Sequence, residues 1–251
     1  MTRILLVNDD GIKAHGIRAL YEVAKEFGEI VIVAPLEQQS ATSHSITIEK
    51  PLVYEKVDFD GKVVAAYAVN GTPVDCVKIA LNIILEAKPD IVLSGINWGA
   101  NLGASVIYSG TVGAALEASF HDLPAIAFSL KSEKKEDYTF AQKVVREILR
   151  TFKMNESFHP GVLNVNIPYI KEKDFKGYRV THQTNSSWHE EYIIKTSNTG
   201  ERFHVLSGEL LPISDDKNGD ILALTNNYVS ITPITPDFTD YKSLEKLKEV
   251  F

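Results

Sequence analysis

The feature that most constrains this sequence is an apolar run near its start that ends abruptly in polar residues. Residues 4–7 read Ile-Leu-Leu-Val, a run typical of a strand that is buried on both faces of a parallel sheet. Asn8, Asp9 and Asp10 follow directly, and Gly11 then provides the backbone freedom that a tight turn needs. The sequence therefore predicts a central strand that ends in an acidic turn, with a helix after it.

The pattern beyond this strand alternates between helices and short strands up to residue 167. Because crossover helices join parallel strands, the alternation predicts an α/β fold with a doubly wound and mostly parallel sheet. The predicted helices cover residues 16–27, 72–86, 109–120 and 138–152, and the predicted strands cover 29–35, 46–57, 62–69, 90–94, 124–130 and 162–167. The stretch between 95 and 103 is rich in glycine and asparagine and is predicted to form a loop.

The chain beyond residue 176 has a different texture. Short β-rich segments separated by turn residues predict a smaller β-rich extension, and an amphipathic pattern over residues 238–251 predicts a terminal helix. We therefore expect a catalytic core of residues 1–176. Residues 177–251 would then form an extension and carboxyl-terminal arm that serve in oligomerisation.

Composition argues against several classes of partner. The formal net charge of −7 disfavours nucleic-acid polymers and anionic membranes as main ligands. Cys76 is the single cysteine, so no intrachain disulfide can form and a reducing, cytoplasmic setting is expected. The amino terminus enters a strand without a basic and apolar leader, and no stretch approaches the ~18 apolar residues of a membrane span.

Polar residues stand at the ends of several predicted strands. They are Asn8, Asp9 and Asp10 after the first strand, Ser40 after the second, and Ser94 and Asn97 around the end of the strand over 90–94. An open α/β sheet binds ligands outside the carboxyl ends of its strands, so this fold would bring these residues together. Their donor atoms are oxygens, which favours magnesium, manganese or calcium. A solvated acidic turn is the alternative interpretation, because acidic pairs are common on protein surfaces.

A second candidate site lies at the start of the helix predicted over 109–120. Ser109, Gly110 and Thr111 would leave backbone N–H groups free to meet an anion such as phosphate. An ordinary capped helix is the alternative. His15 lies near the acidic turn and could donate a proton, or it could simply occupy the surface at a helix start.

Several separated motifs also resemble one protein family. They are Asn8-Asp-Asp-Gly11, Ala34-Pro35 with Ser40, Gly71-Thr-Pro-Val-Asp-Cys76, Ser94-Gly-Ile-Asn97 with Asn101-Leu-Gly103, Tyr108-Ser-Gly-Thr-Val112 and, more loosely, Val229-Ser-Ile-Thr-Pro233. In this order the motifs resemble the SurE family of stationary-phase survival proteins, which act as metal-dependent nucleotidases. The resemblance is strong over residues 3–130 and looser beyond them.

The resemblance implies a phosphomonoesterase of the 5′-nucleotidase or acid phosphatase type. Such an enzyme would hydrolyse nucleoside 5′- and 3′-monophosphates to nucleoside and phosphate, and would also trim short polyphosphate. The resemblance implies a Rossmann-like core, and homodimers or homotetramers that exchange the carboxyl-terminal arm. It places one divalent metal ion per subunit, magnesium or manganese, on Asp9, Asp10, Ser40 and Asn97. Its other implied site residues are Asn8, Asp9 and Asp10 for catalysis, and Asn101, Ser109, Gly110 and Thr111 for the phosphate.

Two positions depart from the family pattern, and two other protein classes stay open. Leu36 stands where many members have a polar or acidic residue, and His15 stands where many have proline, which bears on substrate preference rather than on the metal. A phosphoacceptor signalling domain also carries an acidic pair after its first strand. It needs a further aspartate at the carboxyl end of a later strand, whereas Asp90 is predicted at a strand's beginning. A nucleotide-binding module without turnover is the other class.

Overall fold

The chain is built around a large, mostly parallel sheet. The computed structural model describes residues 2–132, 137–154, 161–186, 188–210 and 216–251. In this part of the chain the sheet has nine strands in the order β3-β4-β2-β1-β5-β6-β7-β11-β8, and β9 pairs with β10 in a separate hairpin. The strands are β1 (Arg3–Val7), β2 (Glu29–Pro35), β3 (Tyr54–Lys56), β4 (Ala65–Val69), β5 (Ile91–Trp98), β6 (Ala125–Lys131), β7 (Val162–Pro168), β8 (Tyr178–Val180), β9 (Trp188–Thr196), β10 (Arg202–Leu210) and β11 (Val229–Ile234).

Helices cover both faces of this sheet. One face packs on α1 and α5, and the other packs on α2 and α4. A single π-helical turn, Ala80–Ile84, continues α2, and a short 3-10 turn covers Glu172–Asp174. The helices are α1 (His15–Ala24), α2 (Pro73–Ile79), α3 (Ser105–Tyr108), α4 (Gly110–Ser119), α5 (Thr139–Met154), α6 (Asp220–Thr225) and α7 (Tyr241–Lys248).

The first strand lies in the middle of the sheet because its side chains suit burial on both faces. Ile4 and Leu6 point into the cluster with α1 and α5, whereas Leu5 and Val7 point into the cluster with α2 and α4. The strand pairs in parallel with β2 on one side and with β5 on the other. The predicted doubly wound α/β fold is confirmed, and the acidic turn follows its central strand.

The predicted strand over 46–57 is wrong for most of its length. Only Tyr54–Lys56 forms a strand, which pairs antiparallel with β4. Backbone N–H groups before it bind side chains instead of another strand: Thr47 N donates to Asp75 Oδ1 at 3.0 Å, and Val53 N donates to Asn70 Oδ1 at 2.7 Å. Asp75 also forms a capping box with Thr72 at the start of α2, where a helix was predicted to begin.

The fifth strand is longer than predicted and contains an irregularity. It continues past Ser94, which is fully buried, to Trp98, so that Asn97 lies on the strand rather than in a loop. Its register against β6 shifts between Ser94 and Asn97. Gly95 makes the shift feasible, because its φ is +127° and a Cβ atom there would lie 2.3 Å from the carbonyl oxygen of Phe128.

The carboxyl-terminal part contributes to the main sheet as well as forming a hairpin. Strand β11 pairs antiparallel with β7, and β8 pairs in parallel with β11, so both extend the sheet built by the first part. Helix α6 was not predicted, because six residues are too few to show a helical period. The division after residue 176 stays a prediction. None of the helices in the described ranges is both long and apolar enough to cross a membrane.

A buried carboxylate ties the loop after β2 to helix α4. Glu117 is 4% exposed, and its oxygens lie 2.8 Å from His44 Nε2, 2.7 Å from Lys78 Nζ and 3.4 Å from His121 Nε2. Burial alone would raise the pKa of Glu117, but hydrogen bonds from His44 and Lys78 and the charge of Lys78 lower it to about 2. His44 belongs to the segment that follows Ser40, so this contact holds a predicted site loop against the sheet's helical layer.

We expect Glu117→Gln to destabilise the fold at neutral pH by about 2 kcal/mol, because the amide cannot replace a buried carboxylate that pairs with Lys78 and accepts a hydrogen bond from His44. The pKa of Glu117 is lower in the folded protein, so its contribution is complete above its ordinary pKa of 4.5. The contribution is lost as the pH falls towards 2. Urea unfolding at pH 7 and pH 3 measures both effects. Glu22→Gln, in an exposed pair with Lys25, is the control. Equal unfolding midpoints for the two variants at pH 7 would contradict this role.

Candidate functional site

A cavity of about 760 Å³ lies at the carboxyl ends of β1 and β5. Its walls come from the turn after β1, the loop after β2, the end of β5, the region around α3, and the β9–β10 hairpin. Binding sites for small molecules usually measure roughly 300–1,000 Å³, so a nucleotide-sized ligand would fit. Six predicted site residues line this cavity: Asp9, Asp10, Ser40, Asn97, Asn101 and Ser109.

Asp9 lies at the buried end of the cavity. The residue is 6% exposed, and its Oδ1 accepts a short hydrogen bond from the hydroxyl of Thr111. Burial is the main cause that raises the pKa of Asp9 to about 6; the hydrogen bond from Thr111 lowers it, and the charge of Asp10 raises it by less than that bond lowers it. A bound cation would offset the cost of burying this carboxylate beside a second one.

Gln38 connects two predicted metal ligands and was missed by the sequence analysis. Its side-chain nitrogen donates to Asp10 Oδ1 at 3.2 Å and to Ser40 Oγ at 2.9 Å. The backbone N–H of Trp98 lies 3.3 Å from the other oxygen of Asp10. These contacts orient a carboxylate from one loop and a hydroxyl from another towards the same space. No local pattern distinguishes Gln38 from other exposed polar residues of its loop.

The donor atoms at this end of the cavity fit a hard divalent cation. Asn97 donates its Nδ2 to the carbonyl of Gly99 at 2.8 Å, so the oxygen is the amide atom that remains to act as a ligand. Asp9, Asp10 and Ser40 add carboxylate and hydroxyl oxygens, which suit magnesium or manganese. Among the described residues, no group of three or more histidine, cysteine, aspartate or glutamate side chains could hold a metal. The oxygen set is therefore the candidate metal site of this part of the chain.

The side chain of Asn8 lies beneath the turn rather than in the cavity. It is 1% exposed, and its Nδ2 donates to the carbonyl of Gly11 at 2.9 Å. Its Oδ1 is buried and has no hydrogen-bond partner in the part of the chain that the structure describes. Such an oxygen is costly unless a water or ligand reaches it. Asn8 thus shapes the acidic turn from below.

The loop that carries Ser40 is held in a conformation that most residues avoid. Ala41 and Ser43 have φ values of 56° and 58°, in the left-handed region. Ser43 N donates to the carbonyl of Tyr108 at 2.9 Å, and the loop then packs on α4. This close approach needs glycine at two positions: a Cβ on Gly113 would lie 2.6 Å from Ser43 O, and one on Gly110 would lie 3.0 Å from Asp9 Cβ.

Ser109 begins α4 and faces the cavity. Its hydroxyl oxygen accepts the N–H of Val112 at 3.1 Å, which makes it the N-cap of the helix. The predicted helix start is therefore confirmed, and Gly110 and Thr111 follow inside the first turn. The structure brings this helix start beside Asp9. Direct phosphate contacts by Ser109, Gly110 and Thr111 stay a prediction.

Asn101 is fixed by a buried polar network that the sequence analysis did not identify. Its backbone N–H donates to Asn166 Oδ1 at 2.8 Å, and its side chain donates to Ser129 Oγ at 2.8 Å. Its carbonyl accepts hydrogen bonds from Asn164 at 2.8 Å and Asn166 at 3.0 Å. Asn164 and Asn166, at alternate positions of the otherwise apolar strand β7, are the sequence feature that could have indicated this network. The network holds Asn101 rigidly at the cavity wall.

His15 lies on the other side of Asp10. It is the first residue of α1 and is exposed, as the surface alternative expected. Together with Gln38 and Tyr138 it lines a smaller cavity of about 180 Å³ that also touches Asp10 and Trp98. Burial raises the pKa of Tyr138 to about 12, so this phenol stays protonated. A proton-donor role for His15 stays a prediction.

The sequence of this chain is similar to known proteins of one family over most of its length. The family profile described as "Survival protein SurE" matches residues 4–190. The 5′-nucleotidase SurE of Alkaliphilus metalliredigens is 41% identical over 249 residues, which cover 99% of this chain and 98% of the relative. That of Pelotomaculum thermopropionicum is 42% identical over 249 residues, covering 99% and 95%.

A solved structure agrees with these sequence matches. The SurE protein from Aquifex aeolicus superposes with a TM-score of 0.83 at 38% identity, and the match covers 99% of both chains. The fold is therefore shared over nearly the whole length. On the profile match and on relatives that are similar from end to end, this chain belongs to the SurE family.

Proposed function

We propose that this protein is a divalent-metal-dependent phosphomonoesterase that hydrolyses nucleoside 5′-monophosphates. The observation that carries the proposal is the convergence of Asp9, Asp10, Ser40 and Asn97 on one cavity of nucleotide size. The relatives named above are called 5′-nucleotidases, which supports a nucleotide as the substrate. Hydrolysis of nucleoside 3′-monophosphates and of short polyphosphate belongs to the proposal through the family resemblance. A cytoplasmic setting belongs to it because Cys76 is the single cysteine of the sequence.

One magnesium or manganese ion per subunit would be held by the four oxygen-bearing residues. When bound, such an ion supplies charge that offsets the negative charge of the phosphate and makes a water molecule a better nucleophile at neutral pH. In the reaction water attacks phosphorus, the ester P–O bond breaks, and the nucleoside leaves as an alcohol. Asp9 or Asp10 accepts a proton from the attacking water, and a proton from solvent passes to the leaving oxygen. In the alternative route one of these carboxylates attacks phosphorus, the nucleoside leaves with the same proton uptake, and water then hydrolyses the aspartyl phosphate.

Other residues of the chain position these groups. Thr111 orients Asp9 through its hydroxyl, and Gln38 orients Asp10 and Ser40. Free N–H groups at the start of α4 would meet the phosphate oxygens beside Ser109. Asn8 acts through the shape of the turn, and Asn101 would add a polar contact from the opposite wall.

The structure bears on the two other protein classes. A phosphoacceptor domain needs an aspartate at the carboxyl end of a later strand, but Asp90 immediately precedes β5 and accepts a hydrogen bond from the backbone N–H of Arg3. A binding module without turnover differs from an enzyme only in phosphate release. Turnover therefore separates it from the proposed function.

We expect phosphate release from adenosine 5′-monophosphate with magnesium or manganese, and its loss in excess EDTA. Asp9→Asn or Asp10→Asn should lower kcat/KM on the order of a hundredfold or more, because each removes charge from the metal site. Both variants should stay folded, since the repulsion between neighbouring carboxylates is relieved. Asp58→Asn, the same change at an exposed loop position, is the control. Near-normal turnover by either site variant at saturating metal would refute the assignment.

The pH dependence of metal binding gives a second measurement on the same variants. Because the pKa of Asp9 is raised to about 6, protons compete with the metal below that value. Manganese affinity measured by titration calorimetry should therefore fall as the pH is lowered from 7 to 5. This dependence should be weaker in Asp9→Asn.

Ser109 and Thr111 allow the phosphate role to be separated from helix capping. Loss of the Ser109 cap alone should cost ~1 kcal/mol of stability and leave catalysis nearly unchanged. If the helix start holds the phosphate, Ser109→Ala should raise the barrier by about 3 kcal/mol, a fall of roughly a hundredfold in kcat/KM, at unchanged metal affinity. Thr111→Val should also weaken metal binding, because its hydroxyl orients Asp9. Ser119→Ala on the same helix is the control. A lowered melting temperature with unchanged kcat/KM in Ser109→Ala would exclude the phosphate role and leave helix capping as the only role of Ser109.

We also propose that the subunits assemble into a homodimer or homotetramer through an exchanged carboxyl-terminal arm. Helix α7 buries none of its residues on its own subunit in the described part of the chain. Tyr241, Leu247, Val250 and Phe251 are each more than half exposed. A short amphipathic helix is marginal alone and needs a surface that covers its apolar side.

Deletion of residues 237–251 should therefore shift the protein towards monomer. Leu247→Glu should act in the same direction within the full-length chain, because it places a charge on the apolar stripe. Lys246→Glu places the same side chain on the polar face and is the matched control. Light scattering over a concentration series measures the mass. An unchanged oligomer after the deletion would exclude exchange of the arm.

A further inference from the structure

The cavity is much larger than a phosphate group and has two chemically different walls. One wall carries the oxygen ligands and the start of α4. The opposite wall comes from the β9–β10 hairpin, which contributes Glu190, Leu206, Ser207 and Gly208. The space between the walls must therefore be considered as a site for the part of the substrate that is not phosphate.

Strand register shows which face of the hairpin looks into the cavity. Leu206 pairs with Tyr192 and Gly208 pairs with Glu190, and directly paired residues of an antiparallel ladder share a face. Alternation places these four residues on one face, which we call the inner face. Glu191 and Ser207 lie on the opposite face, and of these two only Ser207 borders the cavity. On the inner face Glu190, Leu206 and Gly208 line the cavity and Tyr192 does not. The hairpin thus carries two adjacent glutamates in opposite orientations.

The inner face combines an apolar surface with one acceptor. Leu206 is 60% exposed, and Tyr108 on the neighbouring wall is 57% exposed, so both present apolar surface to the same cavity. A flat base that lies against them would remove this surface from water. In the part of the chain that the structure describes, the Glu190 carboxylate has no hydrogen-bond or ion-pair partner.

The charge of Glu190 restricts what it can bind. A carboxylate repels phosphate, so Glu190 does not suit the anionic end of a nucleotide. It accepts hydrogen bonds, and the neutral nucleoside offers N–H donors on the base and O–H donors on the ribose. Anion-binding groups on one wall and an acceptor on the other match the two ends of a nucleoside monophosphate.

The segment that precedes the hairpin is bound to the loop that carries Asn101. Gln183 donates to the carbonyl of Gly103 at 2.8 Å, and Ala104 N donates to Ser186 Oγ at 3.2 Å. The fully buried carboxylate of Asp220 accepts from Gly103 N at 2.9 Å and from Thr184 N at 3.0 Å. The segment that leads into β9 is therefore fastened to the wall of the cavity.

We propose that the inner face of the hairpin binds the nucleoside part of the substrate and that Glu190 determines specificity by accepting hydrogen bonds from it. This inference rests on the proposed phosphomonoesterase function. Leu206 packs against the base together with Tyr108. Removal of Glu190 then weakens recognition of nucleotides but leaves the hydrolysis of a phosphate ester without a nucleoside intact.

The test compares two esters in matched variants. Glu190→Ala and Glu190→Gln are measured against Glu191→Ala and Glu191→Gln, with adenosine 5′-monophosphate and p-nitrophenyl phosphate as substrates. A charge-assisted hydrogen bond corresponds to about ten- to hundredfold in kcat/KM. We expect this loss for the nucleotide in both Glu190 variants, and no change for p-nitrophenyl phosphate. Leu206→Ala should lower kcat/KM for the nucleotide about fivefold, whereas Ile193→Ala on the opposite face should not.

Further substrates identify the donor. If Glu190 accepts from the ribose, 2′-deoxyadenosine 5′-monophosphate should lose the same factor in the wild type and be insensitive to Glu190→Ala. If it accepts from the base amino group, purine riboside 5′-monophosphate should behave in this way instead. Adenosine binding, measured by calorimetry, should weaken in the Glu190 variants and provides a readout independent of turnover.

The outcomes separate this inference from the proposed function. Wild-type protein that hydrolyses neither ester would overturn the function, while adenosine binding would still test the hairpin. Normal hydrolysis of the nucleotide by Glu190→Ala, or an equal loss for both esters, would overturn the inference. Because Glu190 and Glu191 are both exposed, unchanged melting temperatures are expected in all four glutamate variants.

Discussion

The placement of β1 between two parallel neighbours is the constraint on which the site depends. Its four apolar residues pack on both helical layers, so polar residues can begin only where the strand ends. Pairing with β5 brings Val7 opposite Ser94, which sets the acidic turn beside the end of that strand. The position of the two carboxylates is therefore a consequence of burial on both faces of the sheet.

Burial also makes the acidic turn depend on its neighbours. A desolvated carboxylate next to a second one is unfavourable unless hydrogen bonds or a cation compensate it. Thr111 provides one such bond from α4, and Gln38 provides another from the loop after β2. Glu117 in turn fastens that loop to α4 through His44. The turn after β1, the loop after β2 and helix α4 are thus held together by interactions that stabilise the two neighbouring carboxylates.

Local patterns predicted the features that are fixed by local chemistry. The buried strand β1, the capped start of α2 at Thr72 and the N-cap at Ser109 follow from residue types at fixed spacing, and the structure confirms them. Ser40 and Asn97 could be grouped with the acidic turn only because strand ends meet at one edge of the sheet. The structure places Asp9, Asp10, Ser40 and Asn97 on one cavity, whereas Asn8 and Ser94, which were grouped with them, are buried and do not line it.

Features that depend on distant partners could not be predicted. The stretch before β3 has strand-like composition, but its N–H groups bind Asp75 and Asn70. The extension of β5 depends on how Gly95 meets Phe128, and the role of Gln38 depends on two other loops. The segment before the hairpin is fixed by contacts between Asp220 and residues more than thirty positions away. None of these features produces a periodic pattern of residues in the sequence.

The two glycines of α4 have a consequence for how such a site can change. Gly110 and Gly113 are positions where the absence of a side chain lets the Ser40 loop lie against the helix. A single added methyl group at Gly113 would meet backbone, which cannot rotate away as a flexible side chain can. The loop would have to withdraw and take its hydroxyl with it. The distance between the Ser40 loop and α4 is thus set by the absence of side chains at Gly110 and Gly113. Substitutions in the hairpin would disturb this distance far less than substitutions in this part of the helix.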